Sequence, residues 1–289
     1  MKFLASATYR AALSLLMAFM IVHPVRADQA DQAPIVPLTR TIVDATQYPW
    51  SAVGRINISG VATRSHCTGA LIGERLVVTA AHCLYYRQTN RYVSPDLVHF
   101  VAGYQQGEFV AHSTAFQILP APGFVGELWA DPSNMEHDWA LIILNDPIGL
   151  QAGFLGYQAL DEATLGNMLS SEKYFFLSGY PGTRAHAISV DEACRIEGIL
   201  NAGVLLSHSC AIVGGDSGAP LIMEQGGSHQ VVALNSATNV SLSDGSVTNT
   251  AVPVRTFLDL VERALRHTEA DPQILPGHRR LGRPPTAVN

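Results

Sequence analysis

The chain has 289 residues, 47% of them hydrophobic and 15% charged, and carries a net charge of −6 at neutral pH. That apolar content excludes a disordered protein and is enough for one large domain with a sizeable core. The acidic balance and the lack of a basic patch argue against nucleic acid or an anionic membrane surface as a partner, because both select clustered Lys and Arg.

Lys2 and Arg10 precede the apolar run Ala11 to Val22, which is followed by Pro24 and the small residue Ala27. Residues 1–27 therefore read as a secretory signal peptide, and a secreted or periplasmic protein is expected. The apolar run falls short of the roughly 20 residues that span a bilayer, so no stable membrane association is expected. Residues 28–40 open with a repeated Asp-Gln-Ala and lack apolar periodicity, as a leader or short propeptide would. From Trp50 onward, short β-rich runs alternate with Gly, Pro, Asn and Asp. Strands are predicted over 51–58, 97–103, 109–119, 139–144, 173–177, 230–234 and 246–252. A β-hairpin is predicted from 194–199 through the turn Asn201-Ala202-Gly203 to 204–207. Over 254–267, Val254, Phe257, Leu258, Val261 and Leu265 share one stripe, which predicts a helix packed on the core. Residues 268–289, with four prolines and three arginines, read as a flexible C-terminal tail. Many strands and little helix suggest an all-β barrel or sandwich.

Four cysteines, Cys67, Cys83, Cys194 and Cys210, suit an oxidising compartment and allow three pairings, among which the sequence alone does not choose. No Cys-x-x-Cys spacing occurs, and His66 and His82 flank cysteines without a third nearby ligand, so no metal is expected. No residue cluster argues for a cofactor.

Three motifs carry chemistry: Thr79-Ala80-Ala81-His82-Cys83, His137-Asp138-Trp139-Ala140-Leu141, and Gly214-Gly215-Asp216-Ser217-Gly218-Ala219-Pro220. A serine hydroxyl is a weak nucleophile at neutral pH. It needs an imidazole to accept its proton and a carboxylate to hold that imidazole in the useful tautomer. Taken singly, the motifs pass for a tight turn, a core histidine and a strand-end cap. Together they supply Ser217 as nucleophile, His82 as base and Asp138 as orienting acid. The order His, Asp, Ser also departs from that of the esterases, whose nucleophile comes first.

With Tyr48-Pro49-Trp50, Cys67-Thr68-Gly69-Ala70-Leu71-Ile72 and Gly179-Tyr180-Pro181-Gly182 added, the chain resembles the chymotrypsin-fold (trypsin-like) serine endopeptidases over about residues 40–267. The likeness is greatest to their bacterial glutamyl-endopeptidase-like branch. This resemblance implies two six-stranded antiparallel β-barrels and a C-terminal helix in one domain over 41–267. It implies catalysis by His82, Asp138 and Ser217, with the N–H groups of Gly215 and Ser217 as the oxyanion hole. It also implies disulfides Cys67–Cys83 and Cys194–Cys210, and a monomer acting on protein or peptide substrates. The specificity pocket falls near Ala211, facing Asn235, Ser236, Ala237 and Thr238. Ala211 offers no counter-charge for Lys or Arg, and Asn235 stands where the glutamyl branch carries histidine. A small or medium uncharged residue before the scissile bond is therefore expected, with Thr238 narrowing the wall. In resembling zymogens an acid at Asp216 pairs with a newly cut N-terminal amine, and residues 38–43 offer a cut after Arg40, although they depart from the Ile-Val-Gly-Gly start. The rival from another class is a secreted, inactive pseudoprotease serving as a binding module.

Overall fold

The computed structural model describes residues 40–60, 66–129, 131–169, 175–240 and 247–270. The expected signal peptide, the leader up to Thr39 and the tail beyond Ala270 lie outside the described residues. Runs of β-branched and aliphatic residues form the first six strands: β1 (Val53–Ile58), β2 (His66–Leu71), β3 (Leu76–Thr79), β4 (Val98–Ala102), β5 (Ala111–Pro120) and β6 (Ala140–Leu144). Hydrogen bonds run β1-β2-β3-β6-β5-β4 and return to β1, so this barrel is closed and leaves no sheet edge. Gly54 of β1 stands opposite Gly69 of β2 on one side and Ala102 of β4 on the other, which fixes the closing register. Every residue of β6, Ala-Leu-Ile-Ile-Leu, is buried. One apolar cluster runs from this barrel to Tyr180, Ile222, Leu234 and Val252 of the second sheet, and to Phe257 and Val261 beyond it.

The second sheet comprises β7 (Phe175–Gly179), β8 (Ser189–Cys194), β9 (Ile196–Leu200), β10 (Leu205–His208), β11 (Pro220–Gln225), β12 (Ser228–Val240) and β13 (Val247–Pro253). Its order is β8-β7-β11-β12-β13-β10-β9. Thr41–Ile42 adds outside β8, and Gly156–Tyr157 pairs in parallel with β12. The expected second closed barrel is not formed by these hydrogen bonds. The path ends at Thr41–Ile42, outside β8, and at β9; β8 and β9 do not pair with each other although they are successive stretches of chain separated by Arg195 alone. At Arg195 the backbone leaves the β7 ladder for that of β10: its N–H donates to Ser209 Oγ and its carbonyl accepts from Ser209 N–H. The adjoining Cys194–Cys210 disulfide holds the break.

The predicted turn after β9 has Asn201, Ala202 and Gly203 all at positive φ, as hairpin turn chemistry requires. The predicted C-terminal helix is two pieces: a 3-10 turn at Val254–Thr256, then α2 (Leu258–Ala270). Of the predicted stripe, Val254, Phe257 and Val261 are buried and Leu258 and Leu265 half-buried, with Ala264 buried beside them and the Phe257 ring tilted 5.5 Å from Trp139. An unpredicted helix, α1 (Glu162–Leu169), buries Leu165 and Met168 against the second sheet. Both disulfides follow the pairing that the resemblance implies, Cys67 with Cys83 and Cys194 with Cys210, each across 16 positions. A loop of that size is worth about 3 kcal/mol by the chain-entropy argument.

His208 of β10 is buried and lies 3.2 Å from Asn235 Oδ1, with Nε2–H donating. Burial pushes its pKa down to about 4, against the pull of Asn235. Between about pH 6.5, where an unfolded histidine titrates, and about pH 4, the unfolded chain binds a proton that the folded chain refuses. Stability is therefore full above pH 6.5 and falls through this window, by up to about 3 kcal/mol. Denaturant unfolding of the wild type and His208→Gln across that range should show the wild type losing the extra stability, and parallel curves would contradict the assignment.

Candidate active site

Each of the three motif residues sits at a junction between a turn and a strand. β3 ends in the 3-10 turn Ala81–Leu84, which carries His82. The 3-10 turn Pro132–His137 leads directly to Asp138, two residues before β6. The loop before β11 carries Ser217. His82 Nδ1 lies 2.8 Å from Asp138 Oδ2, and the His82 backbone N–H donates to Oδ1 at 2.9 Å. Ser236 Oγ donates to Oδ2 at 2.5 Å. A carboxylate that is 1% exposed thus receives three hydrogen bonds. Burial works to raise the Asp138 pKa, but the charge and hydrogen bonds of His82, with Ser236, outweigh it and hold the carboxyl below its usual range. Burial also works to lower the pKa of His82, and Asp138 again outweighs it, so the imidazole is held above its ordinary value. With Nδ1–H donated to the carboxylate, Nε2 is left as the proton acceptor of the neutral ring.

The loop around Ser217 is shaped by backbone that a side chain would obstruct. Gly215 has φ +100° and Gly218 φ +77°. A Cβ on Gly215 would stand 2.5 Å from the Tyr180 carbonyl oxygen, and one on Gly218 would collide with Thr79 Oγ1 and the Thr68 carbonyl. Thr68 of β2 ties this loop to the barrel: its N–H donates to Ser217 O at 3.0 Å, and its Oγ1 donates to Gly215 O at 2.9 Å. Asp216 N–H donates to Val213 O and Gly218 N–H to Asn235 O, whereas the N–H groups of Gly215 and Ser217 have no protein acceptor among the described residues. Those two donors remain available to a ligand.

Ser217 and His82 line one cleft of about 840 Å³, together with the Cys67–Cys83 disulfide, Tyr92 and Trp129. No hydrogen bond links Ser217 Oγ to His82 Nε2 among the described residues, a pairing that often tightens only when substrate binds. Ala211, Asn235, Ser236 and Thr238, the residues expected at the specificity pocket, are not among those that line this cleft. Ala211 gives its N–H to Asp191 Oδ2, and its carbonyl accepts from Arg40. Asn235 is 2% exposed, its side chain held by His208 and by the Asp216 carbonyl. Ser236 caps Asp138, and exposed Thr238 donates to Asn249 Oδ1 at 3.0 Å. Asn235 and Ser236 therefore direct their side chains to internal partners.

Asp216 is also held from far away in sequence. Arg40, after which the resemblance places an activation cut, sets its Nη1 2.7 Å from Asp216 Oδ2, with both side chains 0% exposed. Burial pushes the Asp216 carboxyl above its ordinary value, and the guanidinium and Val213 N–H work against that shift. Neither this pair nor the Thr68 strut is written in any local motif, since their partners lie more than a hundred residues apart. Among the described residues, the one cluster with metal-ligand spacing is Cys67, His82 and Cys83. Its two sulfurs are bonded to each other, so they offer no thiolate. Among the described residues, no helix is long and apolar enough to cross a membrane.

Comparison with known proteins gives the family and the fold. The trypsin family model matches residues 41–261. A glutamyl endopeptidase of Bacillus licheniformis is 26% identical over 209 residues, covering 71% of this chain and 59% of that protein. Clotting factor C of Tachypleus tridentatus is 30% identical over 111 residues, covering 36% of this chain and 10% of that protein. The chain thus spans under two thirds of the length of the curated relatives it matches. Among solved structures, a Glu endopeptidase in complex with MPD superposes with a TM-score of 0.62 at 18% identity, over 80% of this chain and all of that one. The protease Anisep from Arthrobacter nicotinovorans superposes with a TM-score of 0.52 at 19% identity, over 70% of this chain and 90% of that one. These two likenesses speak for the fold. The family match begins at the strand beside Ser189 and runs into the terminal helix, and on that extent the chain belongs to the trypsin family of serine proteases.

Proposed function

We propose that this chain is an exported serine endopeptidase that hydrolyses peptide bonds through an acyl-enzyme. The observation that carries the reading is the fully hydrogen-bonded Asp138 behind His82, with His82 and Ser217 lining one cleft. Ser217 Oγ attacks the peptide carbonyl carbon as His82 Nε2 takes its proton. The carbonyl oxygen gains the charge, and the unpartnered N–H groups of Gly215 and Ser217 are in the same loop to receive it. His82 then gives the proton to the departing amine, the C–N bond breaks, and the acyl group stays on Ser217. Water repeats the sequence: His82 accepts its proton, and the acid is released as the proton returns to Ser217 Oγ. Asp138 keeps its charge throughout and stabilises the imidazolium. Two disulfides are consistent with export.

The preferred residue before the scissile bond is small or medium and uncharged. Ala211 supplies no counter-charge for Lys or Arg, and Asn235 is engaged by His208. The name of the Bacillus licheniformis relative favours a second reading, in which glutamate is preferred. A peptide-library cleavage profile separates the two, and one dominated by Glu, Lys or Arg would overturn the first.

The main test is replacement of Ser217 by Ala, which should lower kcat by at least about 1,000-fold and abolish labelling by a fluorophosphonate. Near-wild-type turnover or labelling of this variant would overturn Ser217 as the nucleophile, whereas a folded wild type that shows neither would leave only a binding module. Asp138→Asn should cost on the order of 10,000-fold in kcat. Activity needs neutral His82, whose pKa is raised in the fold, so kcat/KM should fall with acidification around a midpoint above about 6.5. A limb centred below that value would be at odds with the Asp138 contact.

A further inference from the structure

We infer that Arg40 is a positioning residue of this site: its guanidinium is the internal counter-ion that holds the Ser217 loop in shape, so the working enzyme retains Arg40 and is not made by cutting after it. This rests on the reading of Ser217 as nucleophile and adds how its loop is organised. Three observations carry it. Asp216 lies between Gly215 and Ser217, the residues whose N–H groups await the oxyanion, and its side chain is fully buried. A buried carboxylate without a cation would be very costly, and removal of one partner of such a pair leaves the other uncompensated. The partner that meets it is Arg40, 176 positions away: Nη1 reaches Asp216 Oδ2 at 2.7 Å and the Ala211 carbonyl at 3.4 Å, while Nη2 donates to Ser189 O at 2.6 Å. One guanidinium thus joins two points of the loop between β10 and β11 to the first residue of β8, with the planar, many-donor geometry that suits arginine.

The peptide on the C-terminal side of Arg40 is secured as well. The Arg40 carbonyl accepts from Arg184 Nη1 at 2.9 Å, and Thr41–Ile42 pairs antiparallel with Ser189 and Val190. A protease that reads arginine would need this buried side chain in its own pocket. A cut there would also let the cation leave with residues 1–40. The charge that a new amine at Thr41 would bring is already present on the uncut chain.

The test uses the full exported chain and its Arg40→Gln and Arg40→Lys variants, each checked for folding by its thermal transition. The readouts are the rate of fluorophosphonate labelling of Ser217 and kcat and KM on a peptide substrate. Arg40→Gln should label more than tenfold slower and lose its activity in kcat rather than KM. Arg40→Lys, which keeps the charge, should recover part of that loss, and so should millimolar ethylguanidinium added to Arg40→Gln. The intact mass of labelled wild type, which needs no variant, should include Arg40. Labelling of Arg40→Gln at the wild-type rate, or a labelled wild-type form beginning at Thr41, would overturn the inference while leaving Ser217 as nucleophile. A folded wild type that takes no label would overturn the proposed function and this inference with it.

Discussion

A carboxylate removed from water must find donors, and the site is organised around meeting that demand at Asp138. The donors come from separate parts of the chain: the ring and backbone N–H of His82 from the first barrel, and the hydroxyl of Ser236 from β12 of the second sheet. Satisfying one charge thereby fixes the imidazole, its tautomer and the approach of the two sheets at once. Asp138 holds His82 above its ordinary pKa while being held below its own, the mutual shift expected when a buried carboxylate and an imidazole share a hydrogen bond.

The serine loop is fixed by a different set of bonds, and most involve backbone. Thr68 links it to the barrel through a backbone N–H and a hydroxyl, while Asn235 links it to β12 through a side-chain amide and a carbonyl. The same Thr68 hydroxyl accepts from Tyr180 N–H, and its carbonyl accepts from Thr79 Oγ1, so one residue bridges the strand before His82 and the loop that bears Ser217. Such a bridge leaves the glycines free to take the positive φ that the loop demands.

How much of this the sequence discloses depends on the range over which each feature is encoded. The three motifs are legible because acyl chemistry needs particular residues in short, nearly fixed surroundings. Most strands and the hairpin turn at 201–203 are legible for the same local reason, but β2, β3, β8 and β11 are not among the predicted runs. β12 is predicted over 230–234 but continues to Val240, because Asn235 and Thr238 look like loop residues until β13 pairs with them, with Ser236 at the register shift between. Ser236 appears as a pocket wall when one counts along the chain, yet its hydroxyl finds Asp138 across 98 positions. The break at Arg195 has no glycine or proline to announce it, and α1 buries only Leu165 and Met168 in eight residues, too few to define a period.

The two disulfides brace the protein in an uneven way. Cys67–Cys83 closes a loop within the first barrel, and Cys194–Cys210 closes one within the second sheet. Neither crosses between the halves, although His82 comes from one and Ser217 from the other. Oxidation therefore protects the shape of each half, while their mutual registry rests on hydrogen bonds and excluded water, such as the His66 Nε2 contact to Tyr180 O at 2.8 Å and the apolar cluster common to both. In such a molecule covalent integrity and catalytic alignment are separate properties: a sample can be intact at every cross-link and still have its two reacting groups out of step.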